Sequence, residues 1–198
     1  MFSGIVEGIA EVKEVQRGVE GMHVKIDLGK FDEGVQIGDS IAINGACLTV
    51  TALDGASVQF DLVAETLART SLGDLESGAK VNIERSIKIG DRLHGHFVQG
   101  HVDGVGRISK FDTGPEGGWM EIETDAALTS QMIHKGSVGI EGISLTIAEL
   151  NDDLFAIALI PHTLEVTTLG GKSAGDRVNI EVDMLGKWVR RILRSEEN

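Results

Sequence analysis

Along most of the chain, apolar and polar residues alternate in short runs, the period-two pattern of half-buried strands. In the first half these runs are GIVEGIAEV from Gly4, MHVKIDL from Met22, SIAI from Ser40, ACLTVTAL from Ala46, SVQFDLV from Ser57 and AKVNIER from Ala79. Asn44-Gly45, Asp54-Gly55 and Ser77-Gly78 punctuate them. The Asn-Gly and Asp-Gly pairs suit tight hairpins, because both central residues of a type I′ turn need positive φ. AETLARTSLG, from Ala64, has the composition of a short helical or turn segment ending in glycine. Six strands in about 85 residues remove their edges most economically by closing into a small barrel.

The pattern then repeats. Residues 44–84 slide onto residues 141–181 without a gap, with 15 of 41 positions identical, far above chance. GACLTV echoes as GISLTI, ETLARTSLG as HTLEVTTLG and GAKVNIE as GDRVNIE. With the offset shortened by one, SGIVEGIAEV from Ser3 matches QGHVDGVGRI from Gln99. The predicted fold is all-β: two similar six-stranded barrels from an internal duplication, residues 1–97 and 98–184. The tail, 185–198, belongs to neither copy. Leu185, Trp188, Val189, Ile192 and Leu193 recur there at helical spacing, giving one apolar and one basic face. That helix either packs on the second barrel or joins subunits.

Composition narrows the function. A formal charge of −13 and a pI near 4.8 argue against nucleic-acid partners, whose affinity comes from clustered Lys and Arg. No apolar run approaches the length of a membrane span, and Glu7 interrupts any secretory core at the N-terminus. One cysteine permits no internal disulfide. A cytoplasmic protein without membrane contact is expected.

Two stretches carry candidate chemistry. In ACLTVTA, Ala46, Leu48 and Val50 share one strand face, while Cys47 keeps company with Thr49 and Thr51 on the other. The copy keeps this phase but has Ser144 in place of the thiol, with Thr146 beside it. A polar substitute argues against a core role for Cys47. The second stretch, DRLHGHFVQGHVDGVG from Asp91, holds His94, His96 and His101. Histidine titrates nearest neutrality, so such a cluster serves proton transfer or metal binding. A zinc site drawing on these histidines with Asp91 or Asp103 stays open beside the acid–base reading. His101 stands where the first copy has Ile5.

Together MFSGIVEG, NGACLTVT, GHFVQGHVD, GISLTI and PHTLEVTTLG resemble the riboflavin synthase family, of the trimeric class with duplicated lumazine-binding barrels, in order and spacing. The departures are small: Ser3 stands where Thr is common, and Ala46 where some members have a second Cys. The resemblance implies Greek-key barrels, a homotrimer held through the C-terminal helix, and association with lumazine synthase. It also implies a dismutation. Two 6,7-dimethyl-8-ribityllumazine molecules give riboflavin and 5-amino-6-(D-ribitylamino)uracil by four-carbon transfer, the last step of riboflavin biosynthesis, with no cofactor and no metal. The resemblance places acid–base roles on His101 and His96, with Ser40 and Asp183 in a supporting hydrogen-bond relay, and sets Cys47 beside the acceptor lumazine, either as a nucleophile adding at C7 or as a polar neighbour of the intermediate.

For substrate binding, the first pocket is expected to use Gly4, Ile5 and Val6; Cys47, Leu48 and Thr49; and Asp61, Leu62, Val63, Ala64, Glu65 and Thr66. The second is expected to use Gly100, His101 and Val102; Lys135; Ser144, Leu145 and Thr146; and Ala158, Leu159, Ile160, Pro161, His162 and Thr163. The alternative from another class is a lumazine protein, which binds the same chromophores without turnover and tends to lose several catalytic residues.

Overall fold

The computed structural model describes residues 1–19 and 21–196. The first barrel is built from β1 (Gly8–Arg17), β2 (Gly21–Asp27), β3 (Ser40–Ile43), β4 (Ala46–Asp54), β5 (Ser57–Val63) and β6 (Lys80–Arg85), closed in the order β1-β2-β5-β4-β3-β6. The second uses β7 (Gly104–Gly114), β8 (Gly117–Glu123), β9 (Ser137–Ile140), β10 (Ile143–Leu150), β11 (Leu154–Leu159) and β12 (Arg177–Val182), in the same cyclic order. All pairings are antiparallel, and closure leaves neither sheet with an edge. Even the irregularities are duplicated: register shifts fall between Val12 and Glu14, and again between Ile108 and Lys110.

Alternation explains the cores. Val24, Ile26, Leu48, Val50, Val58 and Phe60 fill the first barrel, and Ile108, Met120, Ile122, Ile147, Phe155 and Ile157 the second. Between strands, α1 (Ala64–Arg69) follows β5, α2 (Ala126–Thr129) follows β8, and α3 (Pro161–Val166) follows β11.

The first predicted strand begins late. Residues 2–6 are not part of β1; they leave the first barrel and run against the second. Residues 98–102 make the reciprocal crossing. The two segments meet at Phe2 and Val98, which exchange both backbone hydrogen bonds, 2.8 and 3.2 Å, and are buried with Ala42.

A buried polar network joins the barrels nearby. Asn82 Nδ2 donates to the Glu141 carbonyl (3.0 Å), and Asn179 Nδ2, from the matching position, to the Asn44 carbonyl (2.8 Å). Their amide oxygens accept from Thr168 N–H (2.8 Å) and Ser71 N–H (2.7 Å). One pair of positions breaks the symmetry. Asn44 (φ 44°) and Glu141 (φ 51°) both take left-handed backbone, which suits Asn better than Glu. Glu141 is fully buried; one carboxylate oxygen accepts from Asn179 N–H (2.7 Å), while the other has no hydrogen-bond partner and faces Lys172 Nζ at 3.7 Å.

Burial pushes the Glu141 carboxyl above its ordinary range, with Lys172 pulling the other way. The unfolded chain therefore ionises first as pH rises, and stability is lost from about pH 4.5 upward through the folded value. Glu141→Asn, the residue of the first copy, is expected to gain stability on the parent progressively as pH rises from about 4.5 to about 7.5 in paired urea titrations. A stability difference that stayed flat across that interval would contradict the assignment.

The last helix, α4 (Met184–Glu196), starts at an Asp183 cap whose carboxylate accepts from Leu185 N–H (3.0 Å). Its basic side docks on its own barrel: Lys187 pairs with Asp103 at 2.6 Å, and Arg190 donates to Ala127 C=O (3.0 Å) and Ser130 Oγ (2.6 Å). The apolar side faces outward, with Leu185, Trp188, Val189 and Leu193 each more than half exposed. Among the described residues no helix is long and apolar enough to cross a membrane.

Candidate active site

On β4, Ala46, Leu48 and Val50 are buried in the barrel while Cys47 is half-buried and Thr49 and Thr51 are exposed. The β3 pairing sets Ser40 opposite Thr49 and Ala42 opposite Cys47, so Ser40 joins this outer face. β5 runs antiparallel beside β4, with Val50 opposite Phe60, and carries Asp61, Leu62 and Val63 back along it into α1 at Ala64, Glu65 and Thr66. β10 repeats this: Ile143 and Ile147 are buried, Ser144 is half-buried and Thr146 is exposed. β11 returns through Ala158 and Leu159 to Ile160, and α3 begins with Pro161, His162 and Thr163. Neither α1 nor α3 has a side-chain N-cap; at α3, Pro161 has no N–H and Thr163 N–H donates to the Ile160 carbonyl at 3.1 Å.

The crossing segments complete each face, and they reverse an assignment expected from sequence. Residues 4–6 were expected beside Cys47; instead Ser144 N–H donates to Gly4 C=O at 2.7 Å, and Val6 packs against the second core. Residues 100–102 were expected beside Ser144; instead Cys47 N–H donates to Gly100 C=O at 2.8 Å, and Val102 packs against the first core. Close approach demands glycine at both crossings. A Cβ on Gly4 would lie 2.6 Å from Ser144 Cβ, and one on Gly100 2.5 Å from Cys47 Cβ.

The chemical groups therefore divide into two half-sites. The first holds Ser40, Cys47, Thr49 and the exposed His101. The second holds Ser144, Thr146, His96 and Asp183. His96 is buried, its Nδ1 lies 2.7 Å from Ser144 Oγ, and its Nε2 has no partner. Burial pulls the His96 imidazole below the usual histidine range, against an opposing pull from Asp183. It is neutral at neutral pH, so the His96–Ser144 pair can pass a proton without carrying charge. The same shift ties stability to pH: this contribution is intact above about pH 6.5 and is lost as pH falls below it. Among the described residues no hydrogen bond joins the two half-sites.

Several expected site residues contribute backbone only. Leu48, Leu62 and Leu159 point into the cores. Asp61 is engaged by His23, with Nδ1 at 2.6 Å, and this bond holds its carboxyl below the ordinary range. Lys135, at φ 64°, reaches the Ala148 carbonyl (3.5 Å) on the Ser144 side of β10, and His134 Nε2 contacts the same carbonyl at 2.9 Å. The sequence pattern gives His23 and His134 no role: His23 pairs across strands with Asp61, and His134 reaches β10 from the turn before β9, and periodicity aligns neither pair. A cavity of about 730 Å³ lies between β3, β6 and residues 85–94; Ser40 and Ile5 line it, whereas Cys47 and His101 do not. Among the described residues no three His, Cys, Asp or Glu side chains are grouped to hold a metal ion.

Two barrels of one topology, each presenting a Thr-bearing strand face against a crossing Gly segment, match the lumazine binding domain family twice, at residues 3–86 and 99–183. This is a duplicated lumazine-binding protein. Riboflavin synthases from Bacillus subtilis (strain 168) and Escherichia coli (strain K12) are 41% and 40% identical to it; each alignment spans all of this chain and 93% or 96% of theirs. The riboflavin synthase of Mycobacterium tuberculosis (strain H37Rv) is 42% identical, covering 98% of this chain and 99% of its own. The chain belongs to the riboflavin synthase family. Among solved structures it is similar to LumP complexed with riboflavin (TM-score 0.87, 28% identity) and to LumP complexed with 6,7-dimethyl-8-(1'-D-ribityl) lumazine (TM-score 0.84, 27% identity). Each of these alignments covers 92% of this chain and 99% of the other.

Proposed function

We infer that this chain is a riboflavin synthase, an enzyme that dismutates two 6,7-dimethyl-8-ribityllumazine molecules into riboflavin and 5-amino-6-(D-ribitylamino)uracil by four-carbon transfer. The observation that carries the reading is end-to-end identity near 40% with enzymes of that name. LumP is less similar, at 28% or below, and this chain keeps Ser40, Cys47, His96, His101 and Asp183.

The reaction explains why the fold is doubled. Two identical substrates must be held face to face, and such positioning replaces a large entropic part of the barrier. Every atom and electron of the two products is present in the two substrates. The substrate's C7 methyl is acidic because its carbanion delocalises into the pteridine ring, so a base of histidine strength suffices to remove the proton. We assign that role to His101, with the His96–Ser144 pair moving a proton on the partner substrate and Asp183 biasing His96. Backbone groups at residues 62–66 and 159–163 read the pyrimidinedione's donors and acceptors. The exposed apolar side of α4 is the subunit contact of a trimer, in which the first half-site of one protomer faces the second of its neighbour.

Purified protein given 6,7-dimethyl-8-ribityllumazine alone is expected to yield one riboflavin for two substrates consumed, and to sediment at three times the 21.1 kDa chain mass. Binding without product would sink the enzyme reading. Cys47 lines the first pocket as a polar neighbour, since the copy manages with Ser144. Cys47→Ser is accordingly expected to keep turnover within about tenfold of the parent. A larger loss at unchanged substrate affinity would make the thiol a nucleophile.

A further inference from the structure

Two buried carboxylates outside the half-sites remain without a catalytic role. Glu84 and Glu181 occupy the same position in the two copies, on β6 and β12, and each is 4% exposed. Neither spends its charge on a close ion pair. Glu84 accepts from Ser3 N–H (2.7 Å), Ser3 Oγ (2.8 Å) and Gly4 N–H (3.0 Å). Glu181 accepts from Gln99 N–H (2.6 Å) and Gly100 N–H (2.9 Å). Gly4 and Gly100 have φ of 77° and 79°, the left-handed turn that aims two successive N–H groups at one anion.

The gripped peptides continue into the opposite barrel, where Gly4 C=O meets Ser144 N–H and Gly100 C=O meets Cys47 N–H. We propose that Glu84 and Glu181 are positioning residues acting crosswise: the carboxylate of each repeat fixes the backbone wall of the lumazine pocket on the other repeat. The inference rests on the reading of the Cys47 and Ser144 faces as lumazine pockets. Water is a poor substitute for these carboxylates, because the buried N–H groups would lose charge-assisted bonds that nothing else nearby supplies. Burial raises both carboxyl groups above their ordinary range while the backbone donors hold them down, as expected of anions retained for their hydrogen bonds.

The test uses the full-length protein and the single thiol. Riboflavin bound in the first pocket should slow alkylation of Cys47 by N-ethylmaleimide. In Glu181→Gln, whose amide nitrogen cannot accept from one of the two N–H groups, the riboflavin concentration giving half protection is expected to rise by tenfold to a hundredfold. Glu84→Gln carries the same chemical change at the matching position but is expected to protect Cys47 like the parent, while its turnover falls by a similar factor. Glu181→Asp, which keeps the charge but draws it back, gives an intermediate shift and serves if the amide variant does not fold. Equal loss of protection in Glu84→Gln and Glu181→Gln, or unchanged protection and turnover in both, overturns the proposal. Absence of protection in the parent protein overturns instead the pocket reading on which it stands.

Discussion

Gly100→Val is expected to lower turnover by a hundredfold or more and to cost about 3 kcal/mol of stability in urea unfolding. Three effects combine. A β-branched residue resists the left-handed backbone that Gly100 adopts. Its Cβ would stand 2.5 Å from Cys47 Cβ and 2.8 Å from Cys47 N. Retreat is blocked, because Gly100 N–H is held by Glu181 and its carbonyl by Cys47 N–H. Either the segment detaches, opening the first half-site, or β4 shifts and takes Thr49 with it; both misplace the bound substrate by the order of an ångström. Gly55→Ala is the control. Gly55 also has positive φ (61°), yet nothing lies within 4 Å of a Cβ there, so only the backbone cost of about 1 kcal/mol is expected, with turnover intact. Equal effects from the two variants would remove the steric argument.

His101→Ala is expected to lower kcat by 10²–10⁴-fold while substrate still binds, as the loss of a positioned general base does. The side chain is exposed in the protomer and follows directly on the segment held against Cys47, so its removal leaves no cavity and little strain. His96→Ala should behave differently. It empties a buried position and strands Ser144 Oγ, so stability and turnover are expected to fall together. Calorimetry separates the two. A His101→Ala protein that turns over normally at full occupancy would return the role of base to His96.

Much of this was legible in the sequence. The alternation around Val24, Leu48 and Phe60 and its recurrence around Met120, Leu145 and Ile157 gave strands, faces and duplication, because burial inside a small barrel imposes period two directly. The phase of Cys47 against Ser144 gave the outward faces. What alternation could not reveal was the exchange of segments. GIVEGIAEV reads as one strand, yet it departs from β1 before Gly8, where long-range bonds from Glu84 and Ser144 outcompete continued pairing. Glu84 and Glu181 look like ordinary polar positions near strand ends, and Asn82 and Asn179 like ordinary strand asparagines. Their buried partners lie far away in sequence, on the leading segment of the same repeat for the two glutamates and on the other repeat for the two asparagines, where no local pattern points.

The crossed segments also bear on how the chain is born. Gly4 leaves the ribosome 140 residues ahead of Ser144, its hydrogen-bond partner. At roughly 5–20 residues per second, that is on the order of ten seconds during which the amino-terminal segment has no native place to dock. The first barrel can close its six strands in that interval, but the wall of its pocket, residues 100–102, and the landing site of its own leading segment are still to come. The first half is thus chemically unfinished until residues 100–102 have followed it, and its leading segment has no landing site until β10 is made.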